Sequence, residues 1–79
     1  MAPAEQPERT IEIRDASIRL GQLLKLADLV DDGSEAKEVL LQGLVRVNGE
    51  VETRRGRQLV PGDIVTAGGQ TVGIESRGH

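Results

Sequence analysis

The sequence predicts a small α+β domain in which a two-helix hairpin packs on a small antiparallel sheet of hairpins. Three observations carry this. Leu20, Leu23, Leu24 and Ala27 fall at i, i+3, i+4 and i+7, the stripe of an amphipathic helix. A second apolar-periodic segment (Ala36, Val39, Leu40) stops at Gly43, a residue suited to the left-handed position just past a helix end. After it, Val45-Arg46-Val47 alternates into Asn48-Gly49, a strong short hairpin signal, because both central residues of a type I′ turn need positive φ.

In chain order, residues 1–9, with two prolines and two glutamates, read as a disordered arm. Thr10-Ile11-Glu12-Ile13 alternates as a short edge strand. The first helix is expected to begin between Ser17 and Arg19 and to run to about Val30. Lys25 lies on its outer face, and Leu26, Leu29 and Val30 widen its apolar surface. Gly21 is a mild misfit there, costing about 1 kcal/mol relative to alanine in a helix interior. Asp31-Asp32-Gly33-Ser34 joins the helices, with either Asp32 (and Glu35 three residues on) or Ser34 as N-cap of the second.

The second helix covers Glu35 to Gln42, with Lys37 outward. Glu50-Val51-Glu52 returns from the Asn48-Gly49 turn, and Arg54, Arg55 and Arg57 follow on a glycine-containing loop. Pro61-Gly62 fits a type II turn. Ile64 to Ala67, a Gly68-Gly69 turn, and Gln70 to Ile74 form a second hairpin. The domain spans 10–75 and residues 76–79 form a flexible tail. There is no repeat and no second domain.

Composition excludes several functions. A chain of 79 residues buries only roughly 60% of its unfolded surface. With no Phe, Trp or Tyr, its core must be aliphatic. No cysteine means no disulfide, thiolate metal site or cysteine nucleophile. The single histidine, His79, cannot anchor a multi-histidine metal site. Nor is there a phosphate-loop or EF-hand spacing. The apolar runs are far shorter than a bilayer span and the N-terminus lacks a secretory pattern. A non-enzymatic, cytoplasmic, monomeric protein without cofactor, small-molecule substrate or membrane partner is expected.

The net charge of −3 is unevenly spread. Between Leu44 and Val60 stand four arginines and two glutamates, and salt screening confines each charge to about 8–10 Å. Guanidinium forks match phosphate oxygens bidentately. Arg54, Arg55 and Arg57 are therefore the leading candidates for phosphate contact, against the plain reading of a solvated loop. Arg46 alternates with two core valines and points to the polar face, where a contact and a bystander role weigh equally. Arg19 has Asp15 as an alternative ion-pair partner. Asn48 and Gly49 are structural, since the turn alone requires them.

Ile18-Arg19-Leu20, Leu23-Leu24, Ser34-x-Ala36-Lys37, Gly43-x-Val45-x-Val47-Asn48-Gly49 and Pro61-Gly62-Asp63-x-Val65 together resemble the S4 RNA-binding domain (αL motif) over residues 18–66. The short length and Glu52-Thr53-Arg54-Arg55 are similar to small stand-alone bacterial members of that family. The resemblance implies that Lys25 and Lys37, on the two-helix face, join Arg54, Arg55, Arg57, Arg46 and Arg19 in RNA binding. Two positions depart from the family pattern. Glu35 stands where arginine is frequent, which should weaken the grip or narrow which RNA fits. Gly21 stands where aspartate is frequent, which leaves the first helix without its usual cap.

Without aromatic rings the chain offers no base-stacking platform. What remains is phosphate and 2′-hydroxyl contact, which reads RNA shape. Structured RNA, ribosomal or transfer RNA, free or on the ribosome, is the expected partner. Two other classes compete. One is a protein–protein interaction module on the same scaffold, with the acidic arm facing a protein. The other is a ubiquitin-like sulfur carrier, which shares the Val-Asn-Gly turn but needs a terminal Gly-Gly, where this chain reads Ser76-Arg77-Gly78-His79.

Overall fold

Two hairpins and an N-terminal strand merge into one five-stranded sheet in the computed structural model, which describes residues 7–77. The elements are β1 (Arg9–Ile13), β2 (Ile18–Arg19), α1 (Leu20–Leu26), α2 (Gly33–Leu41), β3 (Val45–Val47), β4 (Glu50–Val51), β5 (Gln58–Leu59), β6 (Ile64–Ala67) and β7 (Gln70–Ser76). The large sheet runs β1-β7-β6-β3-β4, and β2 pairs with β5 in a separate two-stranded sheet. One aliphatic core joins the helices (Leu20, Leu23, Leu24, Ala27, Ala36, Leu40) to the sheet (Val45, Val47, Val65, Val72, Ile74). Among the described residues no polar side chain is buried.

The sheet is mixed rather than purely antiparallel. β1 lies on its edge parallel to β7, with Ile11 opposite Ile74 and Ile13 opposite Ser76. Antiparallel neighbours can follow one another through a tight turn, whereas parallel neighbours need a long crossover. Nearly the whole domain lies between these two strands. The pairing also corrects both ends: Arg9 is strand rather than arm, and β7 extends through Ser76, with the Arg77 N–H donating to the Ile13 carbonyl (2.9 Å). The expected arm over 1–6 and tail over 78–79 lie outside the described residues.

α1 is shorter than its apolar pattern suggests. It ends at Leu26, because Asp28 takes φ +61° and the N–H groups of Asp28 and Leu29 fold back onto the carbonyls of Lys25 and Leu24. This Schellman closure uses aspartate where glycine is usual, so periodicity alone carried the expected helix past its stop. The turn returns Val30 to the core and leaves Leu26 57% exposed, so of the residues expected to widen the apolar surface Leu26 faces solvent. α2 closes the same way at Gly43, φ +72°, as its sequence predicts.

Asp32 is the N-cap of α2: its Oδ1 accepts from the Glu35 N–H (2.9 Å), and Glu35 Oε1 accepts from the Asp31 N–H (2.7 Å). The Asn48-Gly49 turn has φ values of +52° and +87°. Asn48 does more than turn. Its Nδ2 donates to Asp63 Oδ1 (3.0 Å), and its Oδ1 accepts from the Ile64 N–H (2.9 Å). Asp63 Oδ2 in turn accepts from the Val60 N–H (3.0 Å). The hairpin is thereby tied to the Pro61-Gly62 turn, which holds the far end of the arginine loop.

Candidate nucleic-acid interface

The loop between β4 and β5 is shaped by one carboxylate. Glu52 Oε2 accepts from the N–H groups of Thr53 (3.1 Å) and Arg54 (3.0 Å) and from Arg54 Nε (3.0 Å). Its Oε1 accepts from Arg54 Nη2 (3.2 Å) and pairs with Arg57 Nε at 3.7 Å. The Glu52 side chain is only 12% exposed, against 75% for Arg54. Hydrogen bonds from the Arg54 side chain and backbone lower its pKa from the ordinary 4.5 to about 2.

A carboxyl with a depressed folded-state pKa stabilises the fold above its unfolded pKa, and that contribution disappears as pH falls toward the folded value. Thermal melts of the wild type should therefore lose stability between pH 4.5 and about 2. Glu52→Gln should flatten that part of the profile. An unchanged profile would show that the Glu52 pair adds nothing to the fold.

The loop is docked as well as ordered. The Leu20 N–H donates to the Arg57 carbonyl (2.8 Å) and the Gly21 N–H to the Arg55 carbonyl (3.0 Å). Arg19 is the N-cap residue of α1 and its side chain makes no capping bond, so the arginine loop's own carbonyls satisfy the first helical amides. Gly21 packs directly on this loop: a Cβ there would stand in ordinary contact, 3.6 Å, with the Cβ, Cγ and carbonyl oxygen of Arg55. Leu59, fully buried in β5, anchors the loop's other end opposite Ile18.

Docking creates an open groove of about 260 Å³ lined by Arg19, Gly21, Gln22, Lys25, Gly33, Ala36, Arg55 and Gly56. Three lining residues are cations and none is a carboxylate. Among the described residues, Arg19, Lys25 and Arg55 have no ion-pair partner, Arg19 and Asp15 included. A second groove shares Gln22 and Lys25 but is mixed in charge, lined also by Glu12, Arg14 and Asp15.

The remaining sequence candidates stand apart from this lining. Lys37 sits one turn along α2 from Gly33, exposed on the same side of the helix. Arg54 and Arg57 are engaged by Glu52. Arg46 reaches back toward the Gly49 carbonyl (3.5 Å) on the β3–β4 hairpin and does not line the groove. Glu35 is turned into the α2 cap and is likewise absent from the lining. Sequence reasoning passed over Gln22, Gly33 and Gly56. Gln22 had a signal, because it lies three residues before Lys25 and so on the same helix face.

Among the described residues no group of His, Cys, Asp and Glu could hold a metal, and no helix is long and apolar enough to cross a membrane.

The S4 domain family matches residues 11–75. The probable ribosome maturation protein RlbA of Bacillus subtilis is 49% identical over 55 residues, 70% of this chain and 78% of that protein. The putative RNA-binding protein YbcJ of Escherichia coli is 37% identical over 57 residues, 72% of this chain and 81% of that protein. A tyrosine–tRNA ligase of Nitrosomonas europaea is 39% identical over 62 residues, only 15% of its own length. The solution structure of E. coli YbcJ, described as having an αL motif involved in RNA binding, superposes with a TM-score of 0.67 at 30% identity, covering 95% of this chain and 96% of that one. With that fold, a family match across nearly all of the described residues and relatives of similar size, this chain belongs to the S4 domain family.

Proposed function

We propose that this protein binds structured RNA, holding its phosphate backbone in the groove between the arginine loop and the two helices. The observation that carries this reading is the convergence of Arg19, Lys25 and Arg55 on a lining free of carboxylates. In a chain of net charge −3, three unpaired cations facing one opening make a local anion site rather than a general charge balance. The absence of aromatic residues removes base stacking. Affinity then comes from phosphate contacts and release of condensed counterions, with little sequence readout. The reading is supported by the relatives RlbA and YbcJ, whose descriptions concern ribosome maturation and RNA binding. Ribosomal RNA is accordingly the first class to test and transfer RNA the second.

The three groove cations, with Lys37 beside them, make about four phosphate contacts. Anisotropy titrations of a fluorescein-labelled ribosomal RNA stem-loop over a potassium chloride series should give a log–log slope of about −3 to −3.5. Affinity that stays constant from low to moderate salt would overturn the proposal.

A further inference from the structure

Gly33 and Gly56 line the cationic groove, yet the fold gives neither of them a reason to be glycine. Gly43, Gly49, Gly62, Gly68 and Gly69 adopt positive φ, which favours glycine. Gly73 is hemmed in by Pro7 and Thr10, whereas a Cβ at Gly21 would make ordinary contact with Arg55. Gly33 is the first residue of α2, outside the positive-φ set, and a Cβ added there meets nothing within 4 Å. Gly56 likewise lacks positive φ and has open space where its Cβ would stand. Glycine in a helix is less favourable than alanine, and it enlarges the unfolded ensemble. At Gly33 the fold therefore carries a cost with no structural return.

Both glycines line the groove with the three cations, and a Cβ added at either meets no atom within 4 Å. We infer that Gly33 and Gly56 are positioning residues that keep the groove wall flat, so that one sugar-phosphate unit of an RNA backbone seats against Arg19, Lys25 and Arg55. Buried Ala36 is the floor of this cradle. Side chains at either glycine would stand in the opening and hold the phosphate away from the guanidinium groups, whose hydrogen bonds need close approach. The inference rests on the proposed RNA-binding function and adds the steric condition under which it operates.

The test separates fold from binding. In the full-length chain, Gly33→Ala adds a Cβ that meets nothing within 4 Å, and Gly33→Leu extends it with another good helix former. Melting followed by circular dichroism should show Tm unchanged or raised by a few degrees. With the same labelled stem-loop, affinity should fall slightly for Gly33→Ala and by about tenfold or more for Gly33→Leu, the loss of roughly one charge-assisted hydrogen bond. The salt slope of Gly33→Leu should become shallower by about one. Gly56→Ala is an independent second variant, with weakened binding expected at unchanged Tm.

Wild-type affinity in Gly33→Leu and Gly56→Ala would overturn the cradle while leaving the binding function standing. A lower Tm in Gly33→Ala would also overturn it, because glycine would then serve the fold. Failure of the wild type to show salt-dependent binding would instead remove the function on which the cradle depends.

Discussion

Replacing Arg19, Lys25 and Arg55 together by alanine is expected to weaken binding to the ribosomal RNA stem-loop by roughly 10²–10³-fold, as three charge-assisted contacts are lost. The log–log salt slope should become shallower by about 2 to 3, since each phosphate contact contributes 0.7 to 0.9. All RNAs tested should be affected alike, because these contacts carry no base information. The fold should survive. All three residues are exposed, and none has an ion-pair partner among the described residues, so each truncation is expected to change stability by about 0.5 kcal/mol or less. Arg46→Ala is the matched control: it removes one positive charge outside the groove lining and should cost much less affinity. A triple variant that binds as tightly as the wild type would show that the groove is not the site.

The second large effect concerns a residue that touches no ligand. Leu59→Ala should destabilise the domain by about 2–5 kcal/mol, the range for emptying a fully buried leucine position. A domain this small has only about 4–12 kcal/mol of stability in total, so the loss takes a large share. Leu59 also ties the arginine loop to β2 and thereby keeps the Arg55 and Arg57 carbonyls on the first amides of α1. RNA affinity should therefore fall in Leu59→Ala even under conditions where most molecules remain folded. Urea denaturation measures the first effect and titration in the absence of urea the second. Leu41→Ala is the comparison, because Leu41 is 67% exposed and its truncation should be near neutral. Equal midpoints for the two variants would contradict the anchoring role of Leu59.

Much of the scaffold was legible in the residues. Asn48-Gly49 and Gly43 each specify a local conformation, and the structure has them at positive φ. The stripe Leu20, Leu23, Leu24, Ala27 is buried throughout. Where the reading went wrong, a nonlocal partner or an atypical local signal was responsible. Asp28 stopped α1 without a glycine to announce it. β1 found a parallel partner at the other end of the chain. The segment from Glu52 to Val60 looked like a plain charged loop because Gln58 and Leu59 form too short a strand to show a pattern, and their partner is Ile18-Arg19.

The candidate site followed the same division. The candidate cations can be picked out as residue types, but which of them line one groove cannot. Adjacent arginines look equivalent in a sequence, yet Glu52 engages Arg54 and Arg57 and leaves Arg55 to the groove. Arg19, with an acidic neighbour at Asp15, looked evenly divided and lines the groove beside Lys25. The glycines of the groove wall gave no signal, because the absence of a side chain has meaning only once its surroundings are known.

The sequence by itself determined the helices, the tight turns and the stock of positive charge, since these depend on neighbours within a few residues. The tertiary structure alone decided which cations share an opening. That depends on two backbone hydrogen bonds, from Leu20 and Gly21 to the arginine loop, between segments more than thirty residues apart in the chain.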